Sequence, residues 1–196
     1  MQFDHSFEVP LPPVEAWAIL LDVPRIAQCF PGAELTEVLD EDRYKGRAGV
    51  KVGPVNLFFA GEAQIIERDD EALSAKIKAK GNDTKGRGQA SAIVSFELVA
   101  SGDGSRVNVS TDLNMSGAVA QYGRASGLMK DIAGILIGQF ADNLAKEIHR
   151  LDAGEAGRPA GQPAAAKPVS AVGLIGKVLR AKVTGIASAK KDTAGS

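Results

Sequence analysis

The strongest constraint on the fold is a run of six segments between residues 33 and 117 in which apolar and polar residues alternate. Alternation with period two places the apolar side chains on one face of a strand. The turns between consecutive segments are too short for a crossover helix, so each strand is expected to pair antiparallel with the next. The predicted strands are residues 33–39, 43–52, 55–67, 72–81, 87–100 and 106–117.

The segments on either side of these strands add one more strand and three helices. Residues 2–9 alternate and predict a first strand, and residues 13–21 predict a short helix that begins at a proline. Asp22 can cap a second short helix that ends near Phe30. Apolar residues recur every three or four positions over residues 118–151, which predicts one long helix.

This order of elements predicts an α+β fold in which a seven-stranded antiparallel sheet wraps around a long C-terminal helix. It is the helix-grip arrangement of START-like and polyketide-cyclase-like proteins, known together as the SRPBCC superfamily. The resemblance at this level concerns the fold alone.

Composition divides the chain into three parts. Residues 1–152 form the predicted ligand-binding domain, residues 153–169 a Gly/Pro/Ala-rich disordered linker, and residues 170–196 a basic amphipathic tail with a helical pattern over residues 171–191. The last 44 residues carry seven basic and two acidic side chains, a net charge of +5, against −6 for the rest. A basic tail on an acidic domain argues against nucleic-acid binding and favours an acidic partner or a membrane surface.

Signals for export or membrane crossing are missing from the sequence pattern. The first residues contain no apolar run, and no stretch reaches about 18 apolar residues. Cys29 is the single cysteine, so an internal disulfide is excluded. We therefore expect a cytoplasmic protein that associates with membranes only peripherally.

The predicted inner face of the sheet is apolar and unusually rich in Gly and Ala. Small side chains against a curved sheet leave volume that a hydrophobic ligand could fill, because protein cores are otherwise densely packed. The alternative is that the chain's own large side chains fill this space. Those side chains are Phe30, Phe59, Phe96, Tyr122, Met129 and Phe140.

The sequence contains few residue patterns that indicate catalysis or metal binding. His5 and His149 lie at opposite ends of the predicted domain, and His5 is expected to be a partly buried strand residue. The sequence has no His-x-x-x-His pair and no Gly-x-Ser-x-Gly. We predict no catalytic residues, no metal site and no cofactor other than a carried ligand.

Several short motifs, in this order and spacing, resemble the G-subunit (CoxG) family of carbon monoxide dehydrogenase over about residues 1–150. The motifs are Phe30-Pro31-Gly32-Ala33, Lys51-Val52-Gly53-Pro54, Phe59-Ala60-Gly61, Gly81 before a polar hairpin, Gly117-x-x-x-Gln121-x-Gly123 and Phe140-x-x-Asn143-Leu144.

This resemblance implies a non-catalytic accessory protein of a molybdenum hydroxylase of the carbon monoxide dehydrogenase type. It would carry a hydrophobic molecule, a quinone, between membrane and enzyme, or anchor the enzyme to the membrane. The quinone head is expected near Phe30, Tyr122 or Gln121. The residues predicted to contact the ligand are Trp17, Phe30, Leu57, Phe59, Ala92, Val94, Phe96, Leu113, Met115, Gln121, Tyr122, Ser126, Met129, Ala133 and Phe140.

The tail is expected to bind membrane or partner. Its predicted contact residues are Val172, Ile175, Lys177, Leu179, Arg180, Lys182, Val183 and Ile186. Three alternatives remain open at this point. The protein could be a tether without a ligand, a cyclase or aromatase, or a lipid sensor.

Overall fold

The computed structural model describes residues 1–123 and 126–152. It contains seven strands and four α-helices, with one turn of 3-10 helix (Ala27–Cys29) before β2. The elements are β1 (Gln2–Val9), α1 (Pro13–Leu21), α2 (Val23–Ile26), β2 (Ala33–Val38), β3 (Arg43–Val52), β4 (Val55–Asp69), β5 (Ser74–Asp83), β6 (Gly88–Ser101), β7 (Gly104–Gly117), α3 (Ala120–Gly123) and α4 (Ser126–Asp152).

All seven strands form one antiparallel sheet in the order β1-β7-β6-β5-β4-β3-β2. Strands β2 to β7 follow one another as hairpins, and β1 closes the order by pairing with β7. Helix α4 crosses the inner face of this sheet and contacts β1 and the 3-10 turn. The predicted α+β helix-grip fold is confirmed.

The predicted helix over residues 118–151 begins in the wrong place. Gly117 has φ of 73°, and a Cβ there would lie 2.8 Å from the Cα of Gly88 on the neighbouring strand. The chain turns at this glycine, so Val119 is fully buried and its N–H donates to the Arg87 carbonyl oxygen. The apolar stripe misled because Val119 belongs to the core and not to a helical face.

A row of glycines runs across β3, β4 and β5. Gly46 pairs with Gly61, which pairs with Gly81. A Cβ at Gly61 would overlap the carbonyl oxygen of Lys80, so only glycine fits this position. Because these three residues have no side chain, they leave space on the inner face of the sheet.

Two packed clusters close the ends of the interior. The α1 cluster lies beneath α1 and the C-terminal half of α4, and the hairpin cluster lies near the turns between β3 and β4 and between β5 and β6. The α1 cluster contains Val9, Ala16, Trp17, Leu20, Cys29, Ala75, Leu98, Val107, Phe140, Leu144 and Ile148. The hairpin cluster contains Val52, Leu57, Val119, Met129 and Ile132.

A buried ion pair holds the β5–β6 hairpin. The Asp83 carboxylate has no exposed surface and accepts hydrogen bonds from the Arg87 side chain, at 2.7 and 2.9 Å, and from the backbone N–H of Lys85 and Arg87. The Arg87 side chain is the main cause that holds the pKa of Asp83 well below its usual range. The hairpin also holds Arg87 in position, and the Arg87 carbonyl oxygen accepts a hydrogen bond from the Val119 N–H.

Candidate functional site

Between the two clusters, the space beneath α4 is not filled by side chains. An inner cavity of about 310 Å³ lies between α4 and strands β1, β3, β5, β6 and β7. Its walls are Phe3, Phe7, Leu20, Ile26, Phe30, Val50, Ile77, Val94, Phe96, Val107, Val109, Thr111, Leu113, Met129, Ile132, Ala133, Leu136, Ile137 and Phe140.

An outer cavity of about 400 Å³ adjoins the inner one and reaches the surface. Its floor is made by small residues on β3 to β6, and Val23, Ile26, Ala27 and Phe30 form one side of its mouth. The floor residues are Gly46, Ala48, Gly61, Ala63, Ala79, Gly81, Ala90 and Ala92. Each cavity falls in the size range of small-molecule sites, which start near roughly 300 Å³.

The two cavities meet at a neck formed by Ile26, Phe30, Ile77 and Leu113, which line both. Phe30 stacks on Phe140 with ring centroids 4.7 Å apart, yet it keeps 42% of its surface exposed. A large aromatic side chain that is packed on one side and open on the other marks the mouth. Phe30 therefore lies between solvent and the two cavities.

Polar groups are sparse along this path. Thr111 is the only lining residue of the inner cavity with a polar side chain among the described residues. Tyr44 lines the outer cavity, but its hydroxyl donates to the Glu41 carbonyl oxygen. Burial, with the carboxylates of Asp42, Asp40, Asp22 and Glu41 adding to it, raises the pKa of Tyr44, so it stays a neutral hydroxyl.

Five charged residues are among those that line the outer cavity, and they alternate along their strands with its small or apolar lining residues. They are Glu34, Lys45, Arg47, Glu62 and Lys80. Lys45 pairs with Glu37 at 3.0 Å, and both side chains are substantially exposed. The inner cavity is thus suited to a largely apolar molecule that carries few polar atoms.

Nine of the predicted ligand-contact residues come together around these cavities. They are Phe30, Phe59, Ala92, Val94, Phe96, Leu113, Met129, Ala133 and Phe140. Most of them lie on strand faces that the alternation pointed inward, or on the apolar stripe of α4. Their contact with a ligand remains a prediction, but the structure places all nine on the walls.

Five other predicted residues do not line either cavity. Trp17 is 5% exposed in the α1 cluster, where its indole N–H donates to Asp70 at 2.8 Å. Leu57 is buried in the hairpin cluster, and Met115 and Tyr122 pack against that cluster. Gln121 is exposed. Trp17 lies on α1, which packs against the sheet, and the turn at Gly117 redirects the segment with Gln121 and Tyr122 before α4 begins. Leu57 and Met115 lie where the hairpin cluster fills the interior.

The remaining predicted residues lie outside the part of the chain that the structure describes. This holds for the Ser126 side chain, although the backbone of that residue begins α4. The linker of residues 153–169 and the tail of residues 170–196 also lie outside the described residues. The tail contacts therefore stay predictions.

Several wall residues were absent from the predicted site. They include Phe3, Phe7, Ile26, Val50, Ile77, Leu136 and Ile137. The strand residues among them lie on the face that the alternation already pointed inward, so that signal was present. Nothing in the pattern indicated that Ile26 would turn toward the neck, because α2 is a single short turn.

Groups that could perform chemistry are scarce among the described residues. No set of three His, Cys, Asp or Glu side chains is close enough to hold a metal ion there. His5 packs edge-on against Phe3 and lies next to Gly134 of α4, and its buried Nδ1 has no described partner. Cys29 is buried, and desolvation raises the pKa of its thiol to about 11.

A helix that crosses a bilayer must be both long and apolar. None of the helices within residues 1–123 and 126–152 meets both requirements.

Solved structures with this architecture come from several bacteria. A conserved protein from Geobacillus kaustophilus superposes with a TM-score of 0.66 at 20% identity, covering 76% of this chain and 96% of that one. The Zhui aromatase/cyclase from Streptomyces sp. R1128 superposes with a TM-score of 0.53 at 15% identity, covering 82% of this chain and 98% of that one. TTHA0849 from Thermus thermophilus superposes with a TM-score of 0.52 at 14% identity, covering 75% of this chain and 99% of that one. At these identities the likeness shows the helix-grip fold alone.

Sequence comparison is more specific. No curated protein matches the chain. The model of the CoxG family, the G-subunit of carbon monoxide dehydrogenase, matches residues 6–149, which is nearly the whole folded part. The match contains the turn at Gly117, the mouth residue Phe30 and the α4 segment around Phe140 that build the cavity. The chain therefore belongs to the CoxG family of carbon monoxide dehydrogenase G-subunits.

Proposed function

We propose that this protein is a non-catalytic accessory carrier of a molybdenum hydroxylase, which holds a quinone in the cavity beneath α4 and moves it between membrane and enzyme. The observation that carries the proposal is the pair of connected cavities, apolar inside and open at Phe30. Membership of an accessory-subunit family gives this cavity its context.

The character of the walls favours a carrier over an enzyme. Acid–base catalysis needs a titratable group within hydrogen-bond reach of the reacting atom. The inner cavity has none among its described walls, and the charged residues that line the outer cavity alternate with its small or apolar lining residues. Aromatases share the fold, but fold alone does not carry a reaction with it.

A quinone with an isoprenoid or alkyl chain matches the shape and polarity of this site. Its chain needs an apolar channel, and its ring needs one or two hydrogen-bonding partners. The inner cavity, the neck and the Gly/Ala floor of the outer cavity offer these in sequence. Release of such a molecule to a membrane or a partner would take place over Phe30.

The tail completes the proposal. Its apolar stripe and basic residues are of the type that bind reversibly to anionic lipid surfaces, at about 1 kcal/mol per basic residue. Helix α4 ends at Asp152, only nine residues after Asn143, whose side chain donates to the carbonyl oxygen of Cys29 beside the mouth. Nine helical residues span about 14 Å. Because the predicted linker of residues 153–169 separates Asp152 from the tail, a lipid-bound tail would tether the mouth to the membrane at a distance that the linker sets.

Ligand binding can be tested with the fluorescence of Trp17, the single tryptophan. Trp17 packs on Phe96 with ring centroids 5.8 Å apart, and Phe96 is a wall of the inner cavity. Quinones quench indole fluorescence at short range. Titration of the full chain with a short-chain benzoquinone should give saturable quenching with one quinone per chain, and calorimetry should give the same stoichiometry. Quenching that rises linearly without saturation would contradict the carrier.

Membrane binding by the tail requires a separate experiment on the full chain. Reversing the charge of Lys177, Arg180 and Lys182 to glutamate should abolish sedimentation with vesicles that contain anionic lipid. The matched control reverses three exposed lysines of the folded part, Lys78, Lys85 and Lys130. Equal loss of sedimentation in both variants would show a general charge effect and remove the tail from the proposal.

A further inference from the structure

The inner cavity combines eighteen apolar wall residues with one hydroxyl. Thr111 lies in the middle of β7, opposite Phe3 on β1 and Val94 on β6. Its backbone belongs to a strand paired on both sides. Its side-chain hydroxyl, however, makes no hydrogen bond with any described residue.

The Thr111 oxygen is not among the buried side-chain atoms left without a partner, so it is accessible on the cavity wall, where water or a polar atom of a ligand can pair with it. Valine has the same shape and an equal or better preference for strands, and valine occupies the neighbouring wall positions Val94, Val107 and Val109. Packing and strand propensity therefore do not explain a threonine at position 111. A polar atom of the ligand, held inside the cavity, does explain it.

From this we infer that Thr111 is the residue that recognises the oxygen-bearing end of the ligand, which lies in the inner cavity with the apolar chain directed outward through the neck. The inference rests on the proposed carrier function and assigns its ligand an orientation. It differs from the sequence expectation, which placed the head near Phe30, Tyr122 or Gln121. Gln121 is exposed, and Tyr122 packs against the hairpin cluster.

A threonine hydroxyl both donates and accepts hydrogen bonds. It can donate to the carbonyl oxygen of a quinone, and it can accept from the hydroxyl of the reduced quinol. A backbone-like donor or an ammonium group would favour one form only. The inner cavity should therefore bind the oxidised and reduced forms with similar affinity, which distinguishes it from a site built for fatty acids.

The test compares three probes of equal chain length: pentylbenzoquinone, pentylhydroquinone and pentylbenzene. Replacing Thr111 with valine (Thr111→Val) should weaken the first two about tenfold each, the effect of one lost buried hydrogen bond. Pentylbenzene has no oxygen, so its affinity should stay within about twofold of the original. Thr111→Ser should keep most of the affinity for the oxygenated probes.

The matched control is Thr84→Val, the same change at an exposed position in the β5–β6 hairpin, which should leave all three affinities unchanged. A measurement on the unaltered chain tests the same hydrogen bond without depending on whether a variant folds. One of the two carbonyl stretching bands of bound pentylbenzoquinone should shift to lower frequency in the infrared difference spectrum.

The outcomes separate the two proposals. If none of the probes binds, the carrier function fails, and the role of Thr111 fails with it. If the probes bind and Thr111→Val weakens all three equally, or none of them, the carrier stands and the recognition role is overturned. Two unshifted carbonyl bands would also overturn the recognition role.

Discussion

The α1 cluster and the inner cavity lie side by side beneath the same helix, yet one is filled and the other is open. In the α1 cluster, Trp17, Leu20, Leu144 and Ile148 are all at most 6% exposed. In the cavity, strand residues such as Val94 and Leu113 remain only partly buried although they face inward. The same sheet supports both regions, so the difference comes from the side chains.

This contrast shows where stability and function are located. Short helix α1 places a tryptophan and a leucine against the sheet, and large side chains of α4 meet them from the other side. Beyond Phe140, toward the start of α4, none of the described helices covers the concave Gly/Ala floor in the same way. Packing density is therefore high where the fold needs cohesion and low where a ligand can bind.

The largest expected effect is a loss of stability when the packed α1 cluster is truncated. Leu144 is 1% exposed in the α1 cluster, so Leu144→Ala should lower the free energy of unfolding by about 3 kcal/mol. Urea unfolding measures this. Ala133→Gly, a smaller truncation on the cavity wall of the same helix, should cost about 1 kcal/mol, mostly from helix propensity. Equal losses at both sites would contradict the contrast.

The second effect is a loss of quinone affinity when a larger side chain fills part of the outer cavity. Ala92 lies on the floor of the outer cavity, and Ala92→Leu should occupy ligand space and weaken quinone binding about 30-fold, which corresponds to about 2 kcal/mol. Its stability should change by less than about 1 kcal/mol, because the added side chain enters a void. The change is checked by Trp17 quenching together with a thermal melt. Unaltered affinity would show that the ligand does not use this floor.

The third effect concerns the hairpin that closes the other end of the interior. The folded-state pKa of Asp83 is lowered below its unfolded value of about 3.9, so the unfolded chain takes up the proton first. This carboxylate therefore stabilises the fold fully above about pH 5, and the contribution is lost progressively as the pH falls through about 4 and below.

Asp83→Asn should lower the free energy of unfolding by about 2 kcal/mol at neutral pH, because charged hydrogen bonds to Arg87 are lost. Its stability should fall less steeply between about pH 5 and 3 than that of the original chain. Parallel pH profiles for the two proteins would remove Asp83 as the source of acid sensitivity. Chemical denaturation across this pH range makes the measurement.

The smallest expected effect tests whether Trp17 contacts the ligand. Trp17→Phe removes the hydrogen bond to Asp70 and should cost about 1 kcal/mol of stability. Because Trp17 lies in the packed cluster and not on the cavity wall, calorimetry should find quinone affinity unchanged within about twofold. A tenfold loss of affinity would restore the ligand contact that the sequence predicted.

The fold was largely predictable because strand alternation and turn residues are local signals. The bounds of β1, β3 and α1 agree with the sequence expectation to the residue, and Asp22 caps α2 by accepting the N–H of Arg25. The start of the last helix was not predictable from periodicity, since Val119 matches a helical stripe while its role depends on Arg87, which is distant in sequence.

The site was predictable as a face but not as a cavity. Alternation assigned Val94, Phe96 and Leu113 to the interior correctly, and it assigned Thr111 there as well. Whether a given inward residue meets a cavity or a packed cluster depends on which side chain stands opposite. Trp17 and Leu57 were predicted to contact a ligand and instead fill clusters. Trp17 lies on α1, which packs against the sheet, and Leu57 packs in the cluster that contains Val119, a residue distant in sequence.

The carrier function is tested most directly by native mass spectrometry of the full chain purified from cells, followed by solvent extraction of whatever is bound. We expect one apolar molecule per chain, released by solvent and identified as a quinone or quinol. A chain that carries nothing, and that takes up no quinone when it is offered from vesicles, would contradict the carrier.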